Sequence, residues 1–501
     1  MPHHPFRFHR RWRSAVLLTA VAAVAGGLGA PASASAPAGK EVPKLEWRAC
    51  GDGLECATAE IPLARGERTS TFPLVRIPAA DPAHREGSLF VNAGLQAGGG
   101  VDLLKQRAKL YSGLAERYDV VGFDLRGQSN NSPSARCMSY EEIRKIEEPV
   151  KAFPTVRDRP SKVAESRALT SACGKRTDPA LLAHMSTAEG ADDLDLLRRA
   201  VGDDKLNYLG QSYGTLIGQI YAARHPGKVG AMVLDGAVHG SGYVNQPLRF
   251  DREQLAASEH ALGRFFSWCE GAPKECAFGD GDPARAYDKL VAKLERNRVA
   301  HPGRHDILTG GALLTQSVGG LISSEAWPEF AALLTKLDKE KVPKAPLATG
   351  EDTVTAQQLA NSCSDRDIPT RFAAHDRHLR LSAKVSPHFG RVYGYGELKC
   401  AVWPVRRDDR FEGPWRYKGA QKALVIGVDG DPLAPLGWAR EVTRDMGRAR
   451  LLSVAGDGHT SFGRGSACVD GAVRAYLVSG KLPGKGAWCA LPGSQAPGDR
   501  S

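Results

Sequence analysis

The sequence lacks the ligand patterns of the common metal sites. It contains no C-x-x-C and no H-E-x-x-H spacing, and the two imidazoles of HDRH (His375 to His378) have no third candidate ligand nearby. We interpret that pair as part of a solvated helix face. The formal charge of +11 is spread along the chain, with no basic block interleaved with aromatic residues. We therefore expect no metal, no other cofactor and no nucleic-acid partner.

Long apolar runs are also absent, except near the amino terminus. Four arginines between positions 7 and 13 precede the run AVLLTAVAAVAGGLGA, and Ala32-Ser33-Ala34 follows it. This order is typical of a secretory signal peptide, and the run is too short and too rich in Gly and Ala for a membrane span. A membrane anchor is the alternative, and the Arg10-Arg11 pair leaves the export route open. We expect residues 1–34 to be removed, which lowers the formal charge to about +7 and leaves a soluble, secreted protein.

Ten cysteines lie beyond this segment. An even number in an exported chain favours disulfides, because the medium outside the cell does not reduce them. The sequence leaves the connectivity open, and we adopt pairing in chain order because several neighbours are close enough to meet. The cysteines are Cys50, Cys56, Cys137, Cys173, Cys269, Cys276, Cys363, Cys400, Cys468 and Cys489.

Six short apolar runs predict buried strands. Continuous runs of Val, Leu and Ile are typical of a parallel sheet that is covered on both faces. Helical segments lie between the runs, as at 187–202, so the order of elements predicts an open α/β sheet. The runs are GSLFVNAG (87–94), YDVVGFDLRG (118–127), LNYLGQ (206–211), GAMVLDGA (230–237), KALVIGVDGD (422–431) and ARLLSVAGDGH (449–459).

The alternation of strands and helices is interrupted between about Gly240 and Tyr417, a region rich in helix formers. An insertion of this size predicts a mainly helical cap over the carboxyl ends of the strands, where such sheets bind ligands. The predicted domains are a signal peptide (1–34), a first part of the core (35–240), the cap (241–417), a second part of the core (418–492) and a disordered tail (493–501).

The segment LNYLGQSYGTLIG contains the pattern Gly210-x-Ser212-x-Gly214. The pattern alone is weak evidence, but here a buried strand precedes it and a helix that ends before Pro226 follows it. The glycines allow the tight turn that a nucleophile elbow requires. The turn also places the first N–H groups of the helix near Ser212, where they stabilise an oxyanion.

Two later strands end in candidates for the acid and the base. Asp429 and Asp431 compete for the acid, and we favour Asp431 because Pro432 biases it to an extended or turn conformation at the strand end. His459 lies 28 residues further on, after a helix and a strand. In the order Ser, Asp, His, the imidazole takes the proton of the serine and the carboxylate orients the imidazole.

Longer segments resemble the tripeptidyl aminopeptidase and proline iminopeptidase group of α/β-hydrolase-fold serine peptidases, particularly its secreted bacterial members. The matching segments, from about residue 45 to 489, are GSLFVNAG, YDVVGFDLRGQSNNSP, HMSTAEGADDLDLLRRAVGDDKLNYLGQSYGT, MVLDGAV, NSCSDRDIP, CAVWPV, GDPLAP and GDGHTSFGRGSACVDGAVRAYLVSGKLP. The resemblance implies an α/β-hydrolase fold, a mostly parallel sheet flanked by helices with a mainly helical cap inserted between strands. It also implies Ser212 as nucleophile, Asp431 as acid and His459 as base, and release of short peptides from free amino termini.

One loop departs from the pattern of that group. A Pro-Gly-Gly-Pro-Gly-Gly type loop usually supplies the second oxyanion N–H, whereas this chain has NAGLQAGGG, with Leu95 and Gln96 after the retained Gly94. One oxyanion donor contributes about 3 kcal/mol, so a misplaced Leu95 N–H would slow the reaction. Alternatively, Leu95 still donates its N–H and its side chain alters substrate choice.

The sequence thus predicts an exported aminopeptidase-like serine hydrolase acting on a peptide or small acyl substrate. We expect oxyanion donors at the backbone N–H groups of Tyr213 and Leu95, and substrate contacts from Gly94, Gln96 and Asp365. The α-ammonium group of a substrate needs a carboxylate, for which the cap offers Glu253, Glu259, Glu325, Asp365 and Asp367. The alternatives are an esterase, amidase or lactonase for one metabolite, and a non-catalytic binding protein. The oligomeric state stays open.

Overall fold

The computed structural model describes residues 41–64, 68–94, 99–128, 130–147, 150–296, 299–300, 307–339, 353–405 and 409–494. The predicted signal peptide, Leu95, Gln96 and the predicted tail from residue 495 onward lie outside the described residues. The limits of the predicted domains stay predictions.

Ten strands form one sheet in the order β1-β2-β3-β5-β4-β6-β7-β10-β11-β12, and β8 pairs separately with β9. The strands within the described residues are β1 (Arg48–Gly51), β2 (Leu54–Pro62), β3 (Thr69–Ile77), β4 (Ser88–Asn92), β5 (Asp119–Phe123), β6 (Leu206–Gln211), β7 (Val229–Asp235), β8 (Val299–Ala300), β9 (Ile307–Leu308), β10 (Ala423–Gly430), β11 (Ala449–Asp457) and β12 (Trp488–Ala490).

The sheet is parallel from β5 through β12 and antiparallel from β1 to its junction with β5. The six runs that the sequence analysis singled out form β4, β5, β6, β7, β10 and β11, which are neighbours in the sheet. This confirms the predicted parallel sheet. The sequence analysis missed β2 and β3, because these strands mix buried with exposed residues and lack a continuous apolar run.

Helices cover the sheet and fill the insertion between β7 and β10. The described helices are α1 (Gly99–Tyr111), α2 (Tyr140–Glu147), α3 (Arg159–Arg176), α4 (Pro179–Ala183), α5 (Thr187–Ala200), α6 (Gly214–Arg224), α7 (Gly240–Asn245), α8 (Pro247–Gly271), α9 (Pro283–Arg296), α10 (Gly310–Leu321), α11 (Trp327–Lys339), α12 (Thr353–Asp365), α13 (Phe372–Val385), α14 (Phe389–Tyr393), α15 (Leu398–Ala401), α16 (Leu436–Met446) and α17 (Ala467–Ser479). Helices α7 to α15 confirm the predicted helical insertion.

Separate apolar cores hold these layers together. Side chains of α5, α6 and α16 pack on one side of the sheet, and those of α1 and α17 pack in a second cluster with other sheet residues. The insertion has a core of its own, in which Phe265 of α8 contacts Trp327 and Phe330 of α11. A helical layer with its own core provides rigid positions above the sheet.

The interpretation of His375 and His378 as a solvated pair is wrong. Both lie on α13 with their side chains buried, because α13 packs against α8. His375 Nε2 lies 2.7 Å from the carbonyl oxygen of Pro369, and Arg252 of α8 lies 3.0 Å from His378 Nδ1. Burial, and then the charge of Arg252, lower the pKa of His378 to about 3. His378 is therefore a neutral core residue near pH 7.

Five disulfides join the cysteines in chain order, which confirms the adopted pairing. Such bonds persist in oxidising compartments and are rare in the cytosol. No helix among the described residues is long and apolar enough to cross a membrane. The pairs are Cys50–Cys56, Cys137–Cys173, Cys269–Cys276, Cys363–Cys400 and Cys468–Cys489.

A buried ion pair joins the loop after β5 to α5. Arg126 donates to both carboxylate oxygens of Asp193, at 2.6 and 2.8 Å, and to the carbonyl oxygens of Leu63 and His184. Only 1% of the Arg126 side chain is exposed. Four donated hydrogen bonds from one buried side chain make this position sensitive to substitution.

We expect Arg126→Met to lower the free energy of unfolding by about 3–5 kcal/mol, since it removes the guanidinium that binds both oxygens of the buried Asp193 carboxylate. Urea denaturation measures the change. The control is Arg474→Met, because Arg474 forms an ion pair with Glu116 in which both side chains are about half exposed. The control should lose less than about 1 kcal/mol. Equal losses in the two variants would contradict the prediction.

Candidate active site

Ser212 occupies a strained turn between β6 and α6. Its φ of 55° lies in the left-handed region, which costs a residue other than glycine about 1–3 kcal/mol. Hydrogen bonds hold the turn: the Ser212 N–H donates to the carbonyl oxygen of Asp235 at 2.9 Å, and the Ser212 carbonyl accepts from the N–H and the hydroxyl of Thr215. The surrounding structure therefore imposes the conformation of a nucleophile elbow on Ser212.

The two glycines of the elbow are required by close packing. A Cβ atom at Gly210 would lie 2.5 Å from the carbonyl oxygen of Gly214, and one at Gly214 would lie 2.5 Å from the carbonyl oxygen of Asn92. Side chains at these positions would push α6 away from β6 and from the end of β4. The glycines thus set the position of Ser212 at the carboxyl end of the sheet.

The loop after β4 approaches the residue that follows Ser212. Gly94 has a φ of 83°, and a Cβ atom there would lie 2.8 Å from the backbone nitrogen of Tyr213. The Gly94 N–H donates to the Asn92 side chain at 2.9 Å, which fixes the start of the loop. The backbone of Gly94 is therefore beside the Tyr213 N–H. The oxyanion role of Leu95 stays a prediction, because Leu95 is outside the described residues.

Asp431 and His459 are in direct contact. His459 Nδ1 lies 2.9 Å from Asp431 Oδ2, and both side chains are buried. Asp431 Oδ1 also accepts hydrogen bonds from the N–H groups of Leu433 and Ala434, each at 2.8 Å. Asp429, the competing candidate, is exposed and accepts from the N–H of Gly456 instead. The geometry thus pairs His459 with the carboxylate that the sequence analysis favoured.

The charge state of His459 depends on its neighbours. Burial lowers the pKa of His459, but the charge of Asp431, its hydrogen bond and the charge of Asp235 outweigh burial, so that pKa lies above 6.5. Arg464 acts in the opposite direction. His459 Nε2 is buried and has no hydrogen-bond partner in the part of the chain that the structure describes. That nitrogen is available to accept a proton from a group in the site.

Asp235, at the end of β7, connects the two halves of the site. Its buried carboxylate accepts hydrogen bonds from the N–H and the hydroxyl of Ser461 and from the N–H of Phe462, each at 2.9 Å to its nearer oxygen, and from Gln211 at 3.0 Å. Its carbonyl oxygen accepts from Ser212. A Cβ atom at the next residue, Gly236, would lie 3.3 Å from the ring of His459. Ser212 and His459 therefore contact consecutive residues at one strand end.

Sequence reasoning did not identify Asp235 as a functional residue. The available signal was a carboxylate at the end of the apolar run GAMVLDGA, followed by a glycine. A charged residue that ends a buried strand needs several hydrogen-bond donors, which only loops at that edge of the sheet can supply. The signal did not indicate which loops these would be.

Asp365, which the sequence analysis predicted to contact substrate, is hydrogen-bonded to Thr187 and to the phenol of Tyr213. Its carboxylate accepts from the Thr187 N–H at 2.8 Å, from the Thr187 hydroxyl at 2.5 Å and from the Tyr213 phenol at 3.3 Å. Burial raises the pKa of Asp365 to about 7. An ammonium group that bound Asp365 would have to compete with these partners. The contacts instead tie α12 of the insertion to the residue next to Ser212.

The other carboxylates considered for the substrate ammonium group also have partners within the protein. All four are paired, so the lack of a partner does not identify one of them as the group that binds the ammonium. Glu253 binds Arg249 and Trp438, Glu259 binds His388 and Ser386, Glu325 binds Arg464 and Ser323, and Asp367 lies 3.4 Å from Arg410.

Helix α12 carries two buried amide side chains on the face that contains Asp365. Gln357 and Asn361 precede Asp365 at four-residue spacing and are at most 3% exposed. The Asn361 amide interacts with the Tyr213 phenol. Gln357 Nε2 and Asn361 Oδ1 have no hydrogen-bond partner among the described residues. An unpaired buried polar group costs about 1–3 kcal/mol, so this face would gain from a polar ligand.

Comparisons with known proteins agree with this architecture. The family model described as alpha/beta hydrolase fold matches residues 94–280, and that described as TAP-like protein matches residues 386–489. The chain is therefore a hydrolase of the α/β-hydrolase fold. Within that class it is similar to the tripeptidyl aminopeptidase-like proteins, which confirms the resemblance found from the sequence.

Three relatives illustrate this similarity. Serine protease Hip1 of Mycobacterium tuberculosis is 29% identical over 485 residues, covering 89% of this chain and 91% of that protein. Tripeptidyl aminopeptidase of Streptomyces lividans is 26% identical over 434 residues, covering 81% and 78%. Carboxylesterase B of M. tuberculosis is 28% identical over 508 residues, covering 93% and 94%. The relatives thus include proteins named for peptide and for ester hydrolysis.

We expect Asp235→Asn to lower the pKa of His459, because it removes a negative charge that raises this pKa. It should also lower the free energy of unfolding by about 1–3 kcal/mol, since an amide nitrogen cannot accept from the Ser461 and Phe462 N–H groups. Histidine NMR titration and urea denaturation measure the two changes. Asp429→Asn is the control, because Asp429 is an exposed carboxylate on β10, the strand next to β7. An unchanged pKa of His459 in Asp235→Asn would contradict the prediction.

Proposed function

We propose that the chain is an exported serine hydrolase that cleaves amide bonds through an acyl-enzyme, with Ser212, His459 and Asp431 as its triad. The observation that carries the proposal is the buried contact between His459 Nδ1 and Asp431 at the same sheet edge as the strained Ser212. The order Ser, Asp, His along the chain is that of triads on the α/β-hydrolase fold.

In the proposed reaction, Ser212 Oγ attacks the acyl carbonyl while its proton passes to His459 Nε2. Asp431 accepts the Nδ1–H of His459 and stabilises the imidazolium that forms. The carbonyl oxygen becomes an oxyanion, which the N–H groups of Tyr213 and Leu95 bind. His459 then gives the proton to the leaving amine, the C–N bond breaks, and water hydrolyses the ester of Ser212 by the same steps.

We propose peptides with a free amino terminus as the substrates. Support comes from the relatives named tripeptidyl aminopeptidase and serine protease. The free groups of α12 offer a second argument, because Asn361 Oδ1 is an acceptor and Gln357 Nε2 is a donor. A peptide group has one N–H and one C=O and can match both, whereas an ester has no N–H to offer.

Ester hydrolysis is the second candidate function. The relative named carboxylesterase covers 93% of this chain, and an acyl-enzyme serves esters as well as amides. Under this alternative, the α12 amides would bind another polar part of an acyl substrate. Activity on matched amide and ester substrates separates the two candidates.

The disulfides support export, because such bonds are rare in the reducing cytosol. Five disulfides, at positions spread from residue 50 to residue 489, require an oxidising compartment. The basic and apolar segments that begin the sequence have the order of a signal peptide. Together these features support a secreted protein.

A fluorophosphonate probe should label Ser212 in the wild-type protein and should leave Ser212→Ala unlabelled. We expect Ser212→Ala to lose about 10⁴-fold or more in kcat, because it removes the proposed nucleophile. Mass spectrometry of the labelled peptide identifies the site. Ser479→Ala, which alters an exposed serine at the end of α17, is the control. Labelling elsewhere with full activity in Ser212→Ala would refute the nucleophile assignment.

Peptides with a free amino terminus should be cleaved with a higher kcat/KM than the same peptides after acetylation. Asn361→Leu should lower kcat/KM for peptides by about 10- to 100-fold, since it removes the amide proposed to bind the substrate peptide group. An ester of a simple acid should be affected much less. Equal cleavage of free and acetylated peptides would remove the aminopeptidase assignment. Equal losses on peptide and ester would remove the role of Asn361 in recognition.

A further inference from the structure

The loop that carries His459 is paired with a short segment of the helical insertion. We call residues 322–325, between α10 and α11, the link. The His459 N–H donates to the carbonyl oxygen of Ile322 at 2.8 Å, and Ser323 forms an antiparallel bridge with Gly458. The backbone of the proposed base is thus hydrogen-bonded to the insertion, and the N–H of the preceding Gly458 donates to the carbonyl oxygen of Gly430 in β10 at 3.3 Å.

Arg464 spans the backbone on both sides of His459. Its Nη2 donates to the carbonyl oxygen of Asp457 at 2.8 Å, and its Nη1 donates to the carbonyl oxygen of Thr460 at 3.2 Å. Only 13% of the Arg464 side chain is exposed. A planar guanidinium can bind two carbonyl groups in fixed geometry, so it limits how the segment between them can turn.

The same guanidinium also binds the link. Arg464 Nη2 lies 2.6 Å from Glu325 Oε2 and 3.4 Å from the hydroxyl oxygen of Ser324. Burial raises the pKa of Glu325, but hydrogen bonds from Ser323 and Arg464 outweigh it and hold this pKa below its usual value. Glu325 is therefore ionised at neutral pH and provides an anionic anchor for Arg464.

We propose that Arg464 is the positioning residue of His459, joining the loop of the base to the link and thereby fixing the imidazole for proton transfer with Ser212. This inference rests on the proposed function, because it assigns His459 the role of the base. It gives the insertion a part in catalysis in addition to covering the site. It also gives Glu325, considered above for binding a substrate amine, the role of anchoring Arg464.

Two properties of Arg464 can be separated experimentally. Its fork shape supplies several hydrogen bonds at once, and its charge opposes the charges of Asp431 and Asp235 at the imidazole. Lysine keeps the charge but cannot reproduce the fork. Glutamine loses the charge and most of the donors.

The test compares Arg464→Lys and Arg464→Gln with the wild-type protein over a range of pH. We expect both variants to lose kcat, by up to about 10²-fold, because the imidazole is no longer held in line with Ser212. In Arg464→Gln the acidic limb of the kcat/KM profile should also move to higher pH, since loss of the positive charge raises the pKa of His459. In Arg464→Lys that limb should stay in place. A residue that only stabilised the fold would not separate the two variants in this way.

Arg474→Gln is the matched control, because it removes an arginine of the same charge from an exposed ion pair on α17. It should leave kcat and the pH profile within about twofold of the wild-type values. The proposal is overturned if both Arg464 variants keep kcat within the range of this control. If Arg464→Gln does not fold, Arg464→Lys and Glu325→Gln decide, and full kcat in both overturns the proposal.

A measurement without turnover keeps this proposal distinct from the proposed function. In the Ser212→Ala background, NMR titration of the His459 ring should show a higher pKa with Arg464→Gln than with Arg464→Lys. If wild-type protein hydrolyses no peptide or ester, the proposed function fails, and this titration still reports on Arg464. Equal pKa values of His459 in the two variants would overturn the electrostatic part of the proposal, and the kcat comparison above decides the positioning part.

Discussion

The carboxylate of Asp235 is the contact on which both halves of the candidate site depend. A buried negative charge is costly unless several donors surround it, and here the loop after His459 supplies three of the four. The backbone of the same residue receives the N–H of Ser212. One strand end thus sets the spacing between the turn of Ser212, the proposed nucleophile, and the loop of His459, the proposed base. Movement of β7 relative to its neighbours would alter both at once.

The helical insertion adds a second layer of control. Helix α12 reaches the turn at Ser212 through Asp365 and the Tyr213 phenol. The link reaches the loop of His459 through the carbonyl of Ile322 and through Glu325, which accepts from Arg464. The insertion contacts the two loops from different segments, α12 and the link. The helices on either side of the link, α10 and α11, belong to the apolar core of the insertion, whereas apolar residues of α12 pack in a separate cluster with residues of α3 and α4. The insertion and the sheet therefore act together in shaping the site.

Local signals in the sequence were sufficient for six of the seven parallel strands, all but β12, and for the turn at Ser212. Apolar runs, glycines at close contacts and Pro432 after Asp431 each depend on a few neighbouring residues. Long-range contacts could not be predicted from such local signals. His378 contacts Arg252 of α8, more than a hundred residues earlier, and three of the four donors to Asp235 come from a loop more than two hundred residues later. The partners of Asp365 likewise depend on how α12 meets α5.

The disulfide between Cys363 and Cys400 bears on how the contact between Asp365 and Tyr213 forms during folding. Cys363 lies two residues before Asp365, so this crosslink holds the end of α12 to α15 where Asp365 meets Tyr213. A crosslink of this kind reduces the conformational freedom of the unfolded chain. In a reducing compartment the chain would have to seat Asp365 without that help. Formation of this contact is thus coupled to the redox state of the compartment in which the chain folds.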